Sequence, residues 1–116
     1  MKTADLKGPW LDYWVAKAEG LTPEFKAHQA QQWVTVREQS GVPYAPSTAP
    51  GQGQPIMERH RIGTSWDDVS GQWHAELEHA ARVDGVQRSF AAGPTQLLAA
   101  MRVRVMQVYG EEVPDA

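Results

Sequence analysis

Few residues of this chain are equipped for chemistry, and their spacing decides how much they can do. His74-Ala75-Glu76 has the H-x-E form in which zinc deaminases place a metal ligand beside a proton-carrying glutamate. That reaction also requires two thiolate ligands. The chain contains no cysteine, so the reaction is excluded. His74, Glu76 and Glu78 alternate along the sequence, with His79 close behind. Imidazole and carboxylate groups on one strand face can take a divalent metal, but alternating polar residues are equally what a solvated strand face presents, and no metal site is assigned. Arg59 and Arg61 flank His60. On a strand the two arginines share a face, and forked guanidinium donors can hold a phosphate or carboxylate. The plainer reading is a solvated face on which they pair with Glu58 or other acids, worth little. The adjacent carboxylates Asp67/Asp68 and Glu111/Glu112 make no glycosidase or nuclease site without a defined geometry.

The segment from Tyr44 to Pro55 is the best candidate for recognition. Tyr44, Ser47 and Thr48 offer hydroxyls, Gln52 and Gln54 offer amides, and Gly51 and Gly53 offer accessible backbone N–H groups. Such groups suit a neutral or phosphorylated small molecule. Gly51-Gln52-Gly53 lacks the G-K-[ST] ending of a phosphate loop. Ser47 and Thr48 have no nearby base, and no G-x-S-x-G elbow is present. The surrounding stretch 39–57 carries no charge and holds Pro43, Pro46, Pro50 and Pro55 with Gly41, Gly51 and Gly53. Proline removes donors and glycine adds backbone freedom, so a long loop is expected rather than helix or central strand. Loops of this length are functional or disordered; the structural alternative is a cover for a sheet edge.

The rest of the chain must position these groups. With 116 residues, 41% apolar and 22% charged, a single globular domain over 1–116 is expected. Five tryptophans supply large apolar surfaces for its core. The lack of cysteine fits a reducing compartment. Met1 to Lys7 is polar, unlike a signal peptide, and no run approaches the roughly 20 apolar residues that span a bilayer. A cytoplasmic protein is therefore expected. The net charge is −3; the first fifty residues balance five acids with five bases, and the remainder is acidic. A duplex-binding protein usually shows a basic excess. The pairs Arg59/Arg61 and Arg102/Arg104 are too short to supply one.

Periodicity gives the elements. Pro9 suits a first helical turn; Trp10, Leu11, Trp14, Val15 and Ala18 make one apolar face, and Gly20 is placed to end a helix over 8–19. The β-branched and aromatic character of 32–37 predicts a strand, with a weaker one at 25–29. A strand is expected at 57–64. Over 65–81 two patterns compete. Trp66, Val69, Trp73, Leu77 and Ala80 fall at helical spacing behind a Ser65/Asp68 capping box, while Trp73, Ala75 and Leu77 alternate with polar neighbours and Gly71 weakens a helix. Asp84-Gly85 signals a turn inside an exposed excursion from Arg82 to Ser89. A helix opened by Gly93-Pro94 is lined by Leu97, Leu98, Met101, Val105, Val108 and Tyr109, then closed by Gly110 and Pro114. The tail from Glu111 is expected to fray.

Several of these segments resemble the phage NinX-like family, small proteins of phages and prophages. The resembling residues are Leu6-Lys7-Gly8 with Leu11 to Gly20, then Ala45-Pro46-Ser47-Thr48, Gly53, Pro55-Ile56, Glu58-Arg59 and Ile62. Trp73-His74-Ala75, Gly93-Pro94-Thr95, Leu98 to Arg102 and Gly110 to Val113 continue the series in the same order. Where the family often has Asp-Trp, this chain has Ala49-Pro50, and Gln54 replaces the second glycine of a pair. The resemblance favours a strand over 72–79. It implies a dispensable phage accessory protein and no established reaction.

The expected fold is α+β, a small antiparallel sheet packed against two helices near the chain ends, leaving one sheet face to water or a partner. The expected function is non-enzymatic binding of a small molecule, nucleotide-like in one version, in phage–host interaction. The pocket would lie between the Tyr44–Pro55 loop and the strand carrying Trp73. Its residues would be Tyr44, Ser47, Thr48, Gln52, Gly53, Arg59, Trp73 and His74, with Tyr44 or Trp73 stacking on a base. No cofactor or metal is expected, nor nucleic acid or membrane as partner; self-association stays open. A module binding a host or phage protein is the alternative. A small hydrolase is the weakest reading, and requires His60 and His74 to converge.

Overall fold

The computed structural model describes residues 1–39, 42–80 and 86–114, apart from the side chains of 79, 80, 86 and 87. Helix α1, Gly8–Ala18, begins with Pro9 in its first turn and buries Leu11, Trp14, Val15 and Ala16. Gly20 ends it at φ 77°. There the Gly20 N–H reaches the Lys17 carbonyl at 3.1 Å and the Leu21 N–H reaches Ala16 at 2.9 Å, the paired bonds of a Schellman cap. The two strands expected next form one antiparallel hairpin, β1 Pro23–His28 and β2 Gln31–Val36, with Phe25 opposite Val34. Val34 and Val36 are buried. Phe25 stacks on Tyr13 at 5.1 Å and touches Trp10 at 4.2 Å, which closes the hairpin over α1.

The long-loop expectation for 39–57 fails in its second half. Pro50–His60 is a helix, α2. Pro50 sits in the first turn, where its missing N–H is not needed. Pro55 forgoes one bond, to the exposed Gly51 carbonyl, which water can serve. What outweighs propensity is packing: Gly53 and Ile56 are buried, and α2 lies against the third helix. The strand expected at 57–64 is corrected with it. Arg61 turns left-handed at φ 55°, the Ile62 N–H caps Met57 at 2.9 Å, and the strand begins only at Gly63.

Strands β3 Gly63–Asp67, β4 Gln72–Ala80 and β5 Val86–Gly93 form an antiparallel sheet in that order. The helical alternative for 65–81 loses at the β3–β4 turn. The Asp67 carboxylate accepts from the Val69 N–H at 3.0 Å and the Ser70 hydroxyl at 2.8 Å, and Gly71 takes φ 68°. On β4, Ala75 and Leu77 point inward and are buried, while His74, Glu76 and Glu78 face out. The expected excursion over 82–89 is corrected from Val86 onward, since that part is β5. The Asp84-Gly85 turn lies outside the described residues.

Helix α3, Gln96–Tyr109, is capped by the Thr95 hydroxyl, which accepts from the Leu98 N–H at 3.1 Å. It starts later than expected because Gly93 belongs to β5. Ala99, Ala100, Met101, Val103 and Val105 are buried, for α3 packs on β4 and β5 and also meets α1 and α2. Arg102 ties it down, donating to Leu6 O at 2.8 Å and Ala92 O at 2.7 Å. The tail does not fray at Val113, which is buried and bonded to Met1 O at 2.9 Å. The fold is α+β: the three-stranded sheet packs on α3, and α1, near the other end of the chain, packs on α3 and on the separate hairpin, with α2 added. Among the described residues no helix is long and apolar enough to cross a membrane.

Gly53 shows why α2 carries glycine. A methyl there would run into Pro46 O and come within 2.7 Å of Leu97 Cδ2, whereas one on Gly51 meets open space. Gly53→Ala is expected to lose about 1–3 kcal/mol by overpacking. Gly51→Ala should be neutral or gain up to about 1 kcal/mol from helix propensity. Urea unfolding of the two variants measures both.

Candidate functional site

The site grows from the place where three helices meet. Glu19 closes α1, and its carboxylate is only 4% exposed. It accepts from Arg104 Nε of α3 at 2.7 Å, from His60 Nε2 at 2.9 Å and from Arg59 Nη1, both at the end of α2. Arg104 also donates to the Ala18 carbonyl at 3.0 Å, serving a free end of α1, and to Gln107 Oε1 at 2.6 Å. The basic partners of Glu19 span exposures from 11% for the Arg104 side chain to 60% for Arg59.

Beside it lies a cavity of about 330 Å³ lined by Glu19, Leu21, Gln39, Tyr44, Gly51, Gln52, Pro55, Ile56 and Arg59. Tyr44 is held by its own N–H on Val34 O at 2.7 Å and is 5% exposed. Burial pushes its phenol up, as do the charges of Glu19 and Asp12, against the opposing charge of Arg59. It therefore stays a protonated donor at neutral pH, and its hydroxyl has no hydrogen-bond partner among the described residues. The fully enclosed side-chain atoms without partners there are Trp14 Nε1 and Ser47 Oγ, so the Tyr44 hydroxyl keeps access to the cavity.

The segment beside the cavity is fastened from three sides. Gln52 Oε1 accepts the Ala45 N–H at 2.6 Å and its Nε2 donates to Pro43 O at 2.9 Å. Asp12 of α1 accepts the Ser47 N–H at 2.9 Å. The Thr48 and Ala49 N–H groups bond back to Ala45 O. These backbone donors are consumed internally rather than offered to a ligand.

The eight residues singled out from sequence do not gather in one place. Tyr44, Gln52 and Arg59 line the cavity. Ser47 and Thr48 line a different one, of about 310 Å³, with Thr95, Gln96 and Leu97. Gly53 is a packing contact. Trp73 packs against the core and meets Trp66 edge-on at 5.8 Å. His74 lies on the outer sheet face, 3.4 Å from Asp67. None of the cavities described joins the 44–55 segment to Trp73. His60 and His74 share neither a partner nor a cavity. His79 falls outside the described side chains, and among the described residues no three His, Asp or Glu groups converge as metal ligands. Glu19, Arg104 and Asp12 were not singled out. Arg104 did leave a signal, a charge on a helix that is apolar over much of its circumference, which must find a partner.

The chain is a small α+β protein with a cavity of about 330 Å³ beside the junction of its three helices. The family described as Bacteriophage P22, NinX matches residues 2–108, and the chain belongs to that family; it is a phage accessory protein. No curated protein matches the chain.

Glu19→Ala strands the buried Arg104 charge and should cost about 3–5 kcal/mol. Arg59→Ala, at the exposed rim, should cost less than about 1 kcal/mol. Chemical denaturation separates them. Asp12 gives a pH signature. Burial raises its carboxyl from 3.8 to about 6 against the lowering bond from Ser47. Between those values the folded chain holds a proton that the unfolded chain has lost, so stability falls as pH rises through the window. Asp12→Asn is expected to exceed the parent by about 1–3 kcal/mol at about pH 8 and to match it near pH 4, as thermal unfolding at the two pH values will show.

Proposed function

We propose that the protein is a non-enzymatic accessory factor that binds a small molecule in the Tyr44–Arg59 cavity inside the host cell. One observation carries this reading: a buried phenol without a partner and an arginine with spare donors face the same hollow. The Tyr44 hydroxyl is open to the cavity, so a ligand acceptor there would take the place of a bonding water. The cavity is at the lower end of ligand pockets in size. The binding set narrows to Tyr44 and Arg59, with Gln52 acting as a staple for the 43–45 backbone. Base stacking, the nucleotide-like version, loses support because the Tyr44 ring is enclosed and Trp73 does not line the cavity.

A protein-binding role has one observation in its favour. Phe90 is 60% exposed on β5, an edge strand of the three-stranded sheet, across from Glu76 on the outer face. A lone ring among charged neighbours is a weaker attractor than the cavity. Native mass spectrometry after incubation with a host metabolite extract decides between them. The expected result is a retained small molecule that Tyr44→Phe releases. Retention of nothing, with a stable protein complex that Phe90→Ser abolishes, would reverse the ranking.

A further inference from the structure

We propose that the Tyr44–Arg59 cavity recognises a small oxyanion, a carboxylate or phosphate group on a compact ligand. The inference rests on the binding reading above and names its ligand class. It follows from counting which polar groups in the wall remain unused. The strong acceptors are engaged: Glu19 takes Arg59, His60 and Arg104, and Gln52 Oε1 takes the Ala45 N–H. The Gln39 amide and the Gly51 carbonyl, which Pro55 leaves without a helical donor, are the remaining neutral groups.

What faces the cavity is a set of donors. The Tyr44 hydroxyl is the first. Arg59 engages Glu19 through Nη1 alone, leaving Nε and Nη2 unengaged among the described residues. The Gly51 N–H is the third, in the first turn of α2, where no intrahelical acceptor exists. Forked guanidinium donors beside an O–H and a backbone N–H suit two or three anionic oxygens.

The charges of Arg59 and Arg104 stand against the carboxylates of Glu19 and Asp12, so the preference for an oxyanion comes from the placement of the free donors. Arg59 can also turn from Glu19 to a ligand at small cost. It is 60% exposed, and Glu19 would keep both Arg104 and His60.

The test follows the Gly51 backbone amide by ¹H–¹⁵N NMR, because that reporter survives in every variant. The full chain is titrated with inorganic phosphate, with succinate and, as controls at constant ionic strength, with chloride and the neutral diol 1,2-propanediol. A saturable Gly51 shift with phosphate or succinate, absent with chloride and the diol, is expected. It should weaken about tenfold in both Tyr44→Phe and Arg59→Gln, each checked for an unchanged amide spectrum elsewhere. Saturation by phosphate alone or succinate alone supports the proposal and identifies the anion. No saturation with either, or equal saturation in both variants, overturns it. If a neutral metabolite is instead retained in native mass spectrometry and lost in Tyr44→Phe, the cavity binds but the oxyanion class is wrong. If nothing is retained in either experiment, the binding reading fails with it.

Discussion

One carboxylate holds the helical part of this molecule together. Glu19 stands where α1 ends, takes Arg104 from the middle of α3 and receives His60 and Arg59 from the end of α2. Arg104 lies among Val103 and Val105 on a helix packed on several sides, and a guanidinium cannot stay there uncompensated. Glu19 supplies the charge, and Ala18 O and Gln107 each take a further donor. A buried pair of this kind adds little net stability compared with apolar packing, but it fixes an arrangement, since any other placement of α1 against α3 strands a charge.

The cavity is a consequence of that junction. Because Glu19 fixes the end of α1 and the end of α2 together, the first turns of α2 and the Tyr44 segment stand across a gap from it. Asp12 and Gln52 tie the segment from opposite sides. Burial, with the charges of Glu19 and Asp12, raises the Tyr44 phenol and keeps its hydroxyl a donor.

Sequence periodicity was informative where burial is one-sided. The α1 stripe with Gly20 behind it, the alternating Trp73, Ala75 and Leu77, and the apolar face of α3 each had a single arrangement that buries them. It misled in the 39–57 segment because residue types there serve purposes that propensity does not see. Pro50 occupies a harmless helical position, Pro55 loses a bond at the surface, and Gly53 is required by a close approach to Pro46 and Leu97. For the site, Tyr44 and Arg59 were visible as chemistry. Gln52 looked the same but anchors the backbone of Pro43 and Ala45, and Ser47 is buried with its own N–H held by Asp12, a distinction that only three-dimensional hydrogen bonding makes. Trp73 was excluded by strand parity, which puts it on the inner face with Ala75.

A double-mutant cycle tests the central claim most directly. Stability would be measured by urea unfolding for the parent, Glu19→Ala, Arg104→Met and the pair together. Interdependence predicts that the double variant is no less stable than Glu19→Ala alone, with a coupling of about 2–3 kcal/mol. Losses that simply add, with a coupling below about 0.5 kcal/mol, would mean that the helices are held by apolar packing and that the Glu19 junction is incidental.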